Sequence, residues 1–462
     1  MDELRIGQAQ VKLVAPEFPT DQPDLQTLLG LVYEPLLRWK NGSVTGSLLS
    51  SWQVSDEGRS WLVTMRDGAC FSDGSRCTVD DIVEAVRIHQ DADGPFGMGG
   101  VYAPYVSDLK IEPQNSTQIH ITSPKPTGDL VDIFAAIYVG RSQDNAQSPI
   151  GTGAYKIDDY VEGEFIKLSS VDRSTDNVLF NNVTVFEISE PEARLDALVS
   201  GRVELATGFE MLEDIPHDDG IEWVKTTNTL SVTGFLNGFD EPFSDPKARL
   251  ALNLAVDVET IIQDVWHGLA QPAATVVSPH HFGFPDGLVH HGYDPSRAKE
   301  LFAECSMPDQ LIVRTPLIIP DRAKQVVDII QQQLVSIGVN VVVEVEEDRP
   351  KYARDVSNKL IGHMAIFDSS PLSTYRVLQE KLSSGNQGLW WQGVSDSTSD
   401  RFIDDAHLVV DTADRAQAYS RCLSWLHESP NWLYLYHPVK LYGLAAGVSG
   451  ISMEHTGLVR IE

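Results

Sequence analysis

The sequence predicts an α/β protein built from more than one domain, and three observations carry that prediction. The chain has 462 residues, enough for two or three domains. Its first third reads as short strands separated by turn signals. From about residue 230 onward, strands alternate with helices, the pattern of parallel-sheet units. No internal repeat or low-complexity tract is visible, which excludes a solenoid.

The elements follow in chain order. "SWQVSDEGRSWLVTMRDGACFSDGS" reads strand, turn "SDEG", strand, turn "SDGS". A helix starts at Thr78, whose hydroxyl caps "VDDIVEAVRIHQ"; acids fill its first turn, and Ile82, Val83 and Val86 share one face. "GPFGMGG", 94–100, is a glycine-rich loop, and strands are expected near 107–111 and 117–122. "PEARLDALVSGRV", 191–203, predicts a helix, and "LSVTGFLNGF", 230–239, an apolar strand. One long helix is expected over 245–266, then a helix over 295–304, strand "LIVRTPLII", helix "DRAKQVVDIIQQQLVSIG" and strand "VNVVVEVEE".

Composition narrows the function. Lys plus Arg is 35 against 66 for Asp plus Glu, a net charge of −31. A nucleic-acid partner and an anionic lipid surface both need the opposite sign, so both are excluded. The composition, 42% hydrophobic and 22% charged, is that of a soluble globular protein, and no run approaches the ~18 apolar residues of a membrane span. "MDELRIGQAQ" is acidic and polar, unlike a signal peptide. The chain is therefore cytoplasmic, or a mature form whose leader has been removed.

Motifs for catalysis do not emerge. G-x-S-x-G, H-E-x-x-H and G-x-G-x-x-G are all missing from the sequence. "PIGTGAYK", 149–156, has the flavour of a phosphate cradle, but its glycines are two apart and a strand-like "AYKIDDYVEGEFIKLSS" follows instead of a helix. A tight turn entering a strand fits better. His280, His281, His290 and His291 lie together in "SPHHFGFPDGLVHH" and are the one set of metal candidates, although their spacing matches no named site. Of the four cysteines, Cys70 and Cys77 flank the "SDGS" turn; a hairpin disulfide is expected there, with two buried thiols as the alternative. Trp390, Trp391, Trp432, Tyr434, Tyr436 and Tyr442 cluster late, where aromatics either stack on a ligand or simply pack.

Several stretches together resemble one family, the extracytoplasmic solute-binding proteins of oligopeptide, dipeptide and nickel ABC importers. "VYEPLLRW" is similar to its early "YEPL" segment. The run 46–86 resembles its longest signature, a "SW-x-VS-x-DG" strand, an "RDG" hairpin and a "T-x-x-D" helix. "PIGTGAY" matches "P-[VI]-GTG-P-[YW]", with Ala154 in place of proline. "ARLDALVSGRVELA", "FSDPKARLALNLAVD" and "GYDPSRAKELFAEC" follow in the family's order. "KYARDVSNKLIGHMAIF" and "LSWLHESPNWLYLYHPVKL" look slightly closer to the nickel-type members.

The resemblance implies a two-lobed periplasmic-binding-protein-like (type II) α/β fold that closes like a hinge. Lobe I would be 1–232 plus 436–462, with an inserted subdomain of about 46–150, and lobe II would be 233–435. The implied function is capture of a small solute, peptide-like or a metal chelate, by a monomer that delivers it to an inner-membrane ABC permease. It implies neither a cofactor nor catalysis, and places the protein in the periplasm or otherwise outside the cytoplasmic membrane after removal of a leader. The alternative is a cytoplasmic ligand-sensing regulator or enzyme that reuses the fold. The GTG turn becomes a structural corner.

The candidate ligand-binding residues are Gln26, Tyr102, Arg141, Tyr375, Arg376, Trp390 and Trp391. After "MAIF", nickel-type relatives carry a Trp, a Tyr followed by Asp-Pro, and a metal-touching His. Here Pro371 stands for the Trp, Tyr375 keeps the Tyr, Arg376 stands for the Asp, and Trp390 and Trp391 fall near the His. Peptide-type relatives pair an acid with the peptide's amine; this chain offers Ser369, Ser370, Thr374 and Arg376, with Asp368 the nearest acid. Arg376 reverses the local sign, and Arg141 lies near the arginine with which nickel-type relatives grip chelator carboxylates. A negatively charged ligand is the expectation.

Overall fold

In this computed structural model, residues 2–18, 20–40, 42–90, 102–141, 149–171, 179–212, 215 and 220–461 are described. The glycine-rich loop expected at 94–100 lies outside them. The chain divides into two compact units, Met1–Thr226 with Lys440–Glu462, and Thr227–Val439. The divisions fall at 226/227 and 439/440, where the sequence suggested 232/233 and 435/436.

Unit 1 is built around β1 (Glu3–Gln8), whose interior residues Leu4 and Ile6 are fully buried. The chain then enters α1 (Pro23–Val32), started by Pro23 and burying Leu25, Leu28, Leu29 and Leu31. A separate four-stranded antiparallel sheet follows. Its strands are β2 (Leu49–Ser55) and β3 (Ser60–Met65), then, beyond α2 (Val79–Gln90), β4 (Lys110–Pro113) and β5 (Gln118–Thr122), in the order β2-β3-β5-β4. Ile82, Val83 and Val86 of α2 pack with Trp61, Val63, Ile119 and Ile121 in one hydrophobic core, which also takes in Leu36 and Leu37. At the start of α2 the Thr78 backbone N–H and hydroxyl both donate to Asp81 Oδ2 at 2.8 Å. The chain returns through β6 (Tyr155–Val161), β7 (Phe165–Ser170) and β8 (Asn182–Glu187), runs along α3 (Pro191–Val199) and adds β9 (Leu205–Ala206). β1 lies parallel to both β8 and β9.

The GTG turn packs against the end of α1. Gly153 N–H donates to the Val32 carbonyl at 2.9 Å, Thr152 Oγ1 donates to Val139 O at 2.8 Å, and the Glu34 N–H donates to Thr152 Oγ1 at 3.0 Å. A Cβ on either Gly151 or Gly153 would overlap the Val32 carbonyl. The glycines are there because two backbones meet.

The expected Cys70–Cys77 disulfide does not form; both cysteines are free thiols. The hairpin pairs Cys70 with Arg76, while Cys77 N–H donates to Ala69 O. The cysteines are thus one residue out of register. Because side chains alternate faces along a strand, they point to opposite sides of the ribbon. Cys77 is buried, which pushes its thiol up to about 12.

Unit 2 begins with β10 (Ser231–Leu236), all six of whose residues are buried. The expected long helix is two helices, α4 (Pro246–Ala255) and α5 (Val258–Trp266). Val256 is extended, and Asp257 caps the second helix by accepting from the Thr260 N–H at 3.1 Å. After β11 (Ala270–Pro272) and α6 (Pro295–Ala303) comes the alternating part. It comprises β12 (Leu311–Pro316), α7 (Ala323–Ser336), β13 (Val341–Glu346), α8 (Arg349–Ser357) and β14 (Met364–Ser369). Then come α9 (Thr374–Lys381), α10 (Ser397–His407), α11 (Thr412–Glu428) and the long β15 (Trp432–Ala445). The sheet order is β15-β10-β14-β12-β13, with β12 parallel to β13 and β14 and the β10 pairings antiparallel. The strand expected over 311–319 stops at Pro316, leaving Leu317, Ile318 and Ile319 exposed. No helix among the described residues is long and apolar enough to cross a membrane.

Candidate functional site

In open sheets with parallel strands, ligands bind beyond the carboxyl ends of the strands. In unit 2 that end is where β14 runs out through Asp368 and Ser369 into the turn 370–373 and the start of α9. The turn is fixed from three sides. Ser373 Oγ caps α9, accepting from the Arg376 N–H at 3.3 Å; Thr374 Oγ1 donates to Phe282 O at 2.7 Å. His281 Nε2–H donates to the Pro371 carbonyl at 2.9 Å, while its Nδ1 accepts from the Ser278 N–H at 3.2 Å. The ring is therefore the neutral Nε2–H tautomer, and burial lowers its pKa to about 4.

The histidine cluster does not assemble a metal site. His281 is committed to the turn. His290 Nδ1 accepts from Gly292 N–H, and His291 Nε2–H donates to His427 O at 2.7 Å, its ring stacked on His427 at 4.0 Å. His280, the fourth of the set, donates its backbone N–H to the Ser278 hydroxyl oxygen. Among the described residues no group of three or more His, Cys, Asp or Glu is arranged to hold a metal.

The ligand-binding candidates divide between the two units. Gln26 sits on α1 and donates to Thr20 O at 2.8 Å. Tyr102 is buried in the hydrophobic core of Trp61 and Ile119, edge-on to His89 at 5.5 Å, and is a packing residue. Arg141 lies over the Phe71 ring at 4.1 Å and donates twice to Asp81 Oδ1, at 3.0 and 2.8 Å. In unit 2, Tyr375 packs flat on His407 of α10 at 4.2 Å, and Arg376, with 8% of its side chain exposed, donates to Glu380 Oε1 at 2.8 Å one helical turn on. Both arginines expected to meet an anion are thus matched by a carboxylate of the chain itself. Trp391 is buried, its indole N–H donating to Val394 O at 2.8 Å.

Trp390 is the candidate that reaches the end of β14, lying on Phe367 at 5.1 Å. It brings together residues that sequence reasoning missed. Arg349, the first residue of α8, lies over Phe367 at 4.9 Å and over Tyr352 at 5.9 Å. Tyr352 is fully buried; its hydroxyl donates to Ile366 O at 2.7 Å, and burial raises its pKa. Its ring also meets Arg314, which is itself paired with Asp355 at 2.8 Å. The signal was present in "EEDRPKYAR": Arg349 and Tyr352 are three apart and share one helix face, with Asp348 capping the helix.

The sequence profile of the bacterial extracellular solute-binding proteins, family 5 Middle, matches residues 43–400. The chain belongs to that family. Among its relatives, the glutathione-binding protein GsiB of Salmonella paratyphi A is 26% identical over 317 residues, which are 65% of this chain and 60% of GsiB. The matched region thus spans less than two thirds of that relative's length. Two solved structures share the fold over almost the whole chain. The ABC transporter-associated periplasmic binding protein DppA from Helicobacter pylori, in complex with peptide STSA, has a TM-score of 0.79 at 21% identity, covering 100% of this chain and 98% of DppA. NikZ from Campylobacter jejuni, in complex with Ni(L-His), has a TM-score of 0.78 at 20% identity, covering 99% and 97%. These matches establish the type II periplasmic-binding-protein class. The peptide complex and the nickel complex are alike to the same degree, so the fold does not choose between their ligands.

Proposed function

We propose that this protein is the solute-binding component of an ABC importer. It captures a small solute, a peptide or a metal chelate, and hands it unchanged to an inner-membrane permease. The observation that carries this reading is the match to family 5 across residues 43–400, seated on a fold shared with peptide and nickel-chelate complexes. Two features support it. The end of β14 carries aromatic and cationic side chains suited to holding a solute. The acidic balance of −31 fits neither nucleic acid nor an anionic membrane surface as a partner. In this reading the protein works as a monomer outside the cytoplasmic membrane, directed there by a leader that is then removed. Nothing in the match to family 5 favours the cytoplasmic regulator or enzyme.

The test pairs binding with scattering. A library of di- and tripeptides, and histidine with and without nickel, is screened by thermal shift. Binders are then followed by small-angle scattering and by mass analysis of the ligand after incubation. The expected result is a binder that compacts the protein and is recovered intact. Recovery of a hydrolysed peptide, or binding without any change in radius of gyration, would overturn the reading.

A further inference from the structure

Buried arginines in unit 2 are mostly consumed by the fold. Arg249 donates to the carbonyls of Pro430, Phe243 and Ser244 at 2.8, 2.9 and 3.2 Å. Arg314 and Arg376 are each paired with a carboxylate at 2.8 Å. Arg349 keeps a buried Nε without a protein hydrogen-bond partner, as Arg415 also does, and it lies over Phe367 near the end of β14. The carboxylate of Asp368 is 3.7 Å from Nη2, close enough to feel the charge and too far to accept a hydrogen bond. An ionised N–H withdrawn from water with no acceptor is costly, so a fold that keeps one is holding it for an acceptor of another origin. The side chain is nonetheless 18% exposed, so the guanidinium is not sealed in.

The surroundings define that acceptor. The guanidinium carbon lies over Phe367 at 4.9 Å and over Tyr352 at 5.9 Å, so two rings hold the cation while its Nε stays without a protein partner. Trp390 lies against Phe367 at 5.1 Å and extends the apolar surface. Ser369, the last residue of β14, adds a second buried donor, an Oγ without a protein partner. A planar cation with a paired N–H edge, flanked by flat apolar rings, suits a carboxylate carried on an apolar or planar body.

We propose that Arg349 is the specificity-determining residue of unit 2 and that it reads a free carboxylate of the captured solute, with Phe367 and Trp390 stacking against the adjoining part. The inference rests on the solute-capture reading above and names the chemical class of that solute. It moves anion recognition from Arg141 and Arg376, which the fold pairs internally, to a residue at the head of α8.

The probes are free-acid and C-terminally amidated forms of the same di- and tripeptides, together with citrate and histidine, each with and without nickel. They are titrated by calorimetry against the wild type, Arg349→Gln and Arg349→Lys. The expected result is a preference of about tenfold or more for the acid over its amide in the wild type. Arg349→Gln abolishes that preference, its fold checked by an unchanged circular dichroism spectrum and a cooperative thermal melt, and Arg349→Lys retains part of it. Equal binding of acid and amide by the wild type, or an acid preference that survives Arg349→Gln, overturns the assignment and leaves solute capture standing. Binding of no probe by the wild type counts against both.

Discussion

Arg194 in "PEARLDAL" and Arg249 in "PKARLALN" occupy the same place in two helices, one in each unit. Each donates to the carbonyls six and five residues before it: Arg194 Nη1 to Ile188 and Ser189 at 2.6 and 2.8 Å, Arg249 Nη1 to Phe243 and Ser244. Burying a guanidinium demands this saturation, because an unmatched charge would cost more than the packing returns. Single residues of this kind are hard to read from sequence. Arg141 and Arg376 were legible as arginines, but Asp81 and Glu380, which complete them, matter only once α2 and α9 are placed. His281 shows the same limit. Sequence offers an imidazole in a turn-rich loop, and the fold makes it the strut of the 370–373 turn. Its pKa is lowered from 6.5 to about 4 by burial. Between those values the unfolded chain binds the proton and the folded one does not, so the stability it contributes is complete above about pH 6.5 and is lost as pH falls toward 4. His281→Gln should be less stable than the wild type at pH 7. That gap should narrow by roughly 2–3 kcal/mol by about pH 4.5, because each tenfold difference in proton affinity between the folded and unfolded chain is worth about 1.4 kcal/mol. Urea titrations of both proteins across that range measure it, and a gap that stays constant with pH would show that His281 does not titrate in this way.

Some element boundaries were legible from a chemical signal in the sequence. Thr78 and Asp81 announce the start of α2, whereas the stop that Pro316 puts to β12 was passed over in favour of the apolar run that follows it. The break between α4 and α5 was not legible, because "ALNLAVDVETII" keeps apolar residues at helical spacing straight through it. What breaks the helix is Asp257. Its carboxylate accepts from the Thr260 N–H and hydroxyl, at 3.1 and 2.8 Å, and Gln333 of α7 grips its backbone through both N–H and C=O. A local cap plus a contact 76 residues away outweighs the periodic signal. The Cys70–Cys77 hairpin failed for a similar reason: the turn was read correctly, but the one-residue offset of its register is not written in composition. Asp257→Ala should therefore cost about 1 kcal/mol, up to 2, and Asp257→Asn distinctly less. A urea midpoint for Asp257→Ala equal to the wild type would mean that the break is enforced by packing alone.

At the scale of the whole molecule, the sequence carried the family, the α/β class and the two-unit plan, because these rest on many weakly informative residues acting together. It did not carry the ligand, which depends on a few side chains such as Arg349 whose partners come from elsewhere in the chain. The excess of negative charge bears directly on how such a ligand arrives. With a net charge of −31, the protein repels an anion at long range, whatever a single guanidinium does at contact. The range of that repulsion is set by salt: the Debye length is roughly 30 Å at ~0.01 M ionic strength and ~8 Å at ~0.15 M. Contact with Arg349 takes place at hydrogen-bond distance, well inside either length, so it is screened far less. Added salt should therefore raise the association rate of citrate, a net anion, several-fold, leave that of a zwitterionic acid-form peptide nearly unchanged and lower that of its cationic amide. Dissociation, which breaks the short-range pair, should respond weakly. Stopped-flow fluorescence, with Trp390 as the reporter beside Phe367, measures both rates. An association rate for citrate that falls with salt would mean that a local positive field, not the overall charge, governs approach, and that the entrance carries cationic groups beyond Arg349.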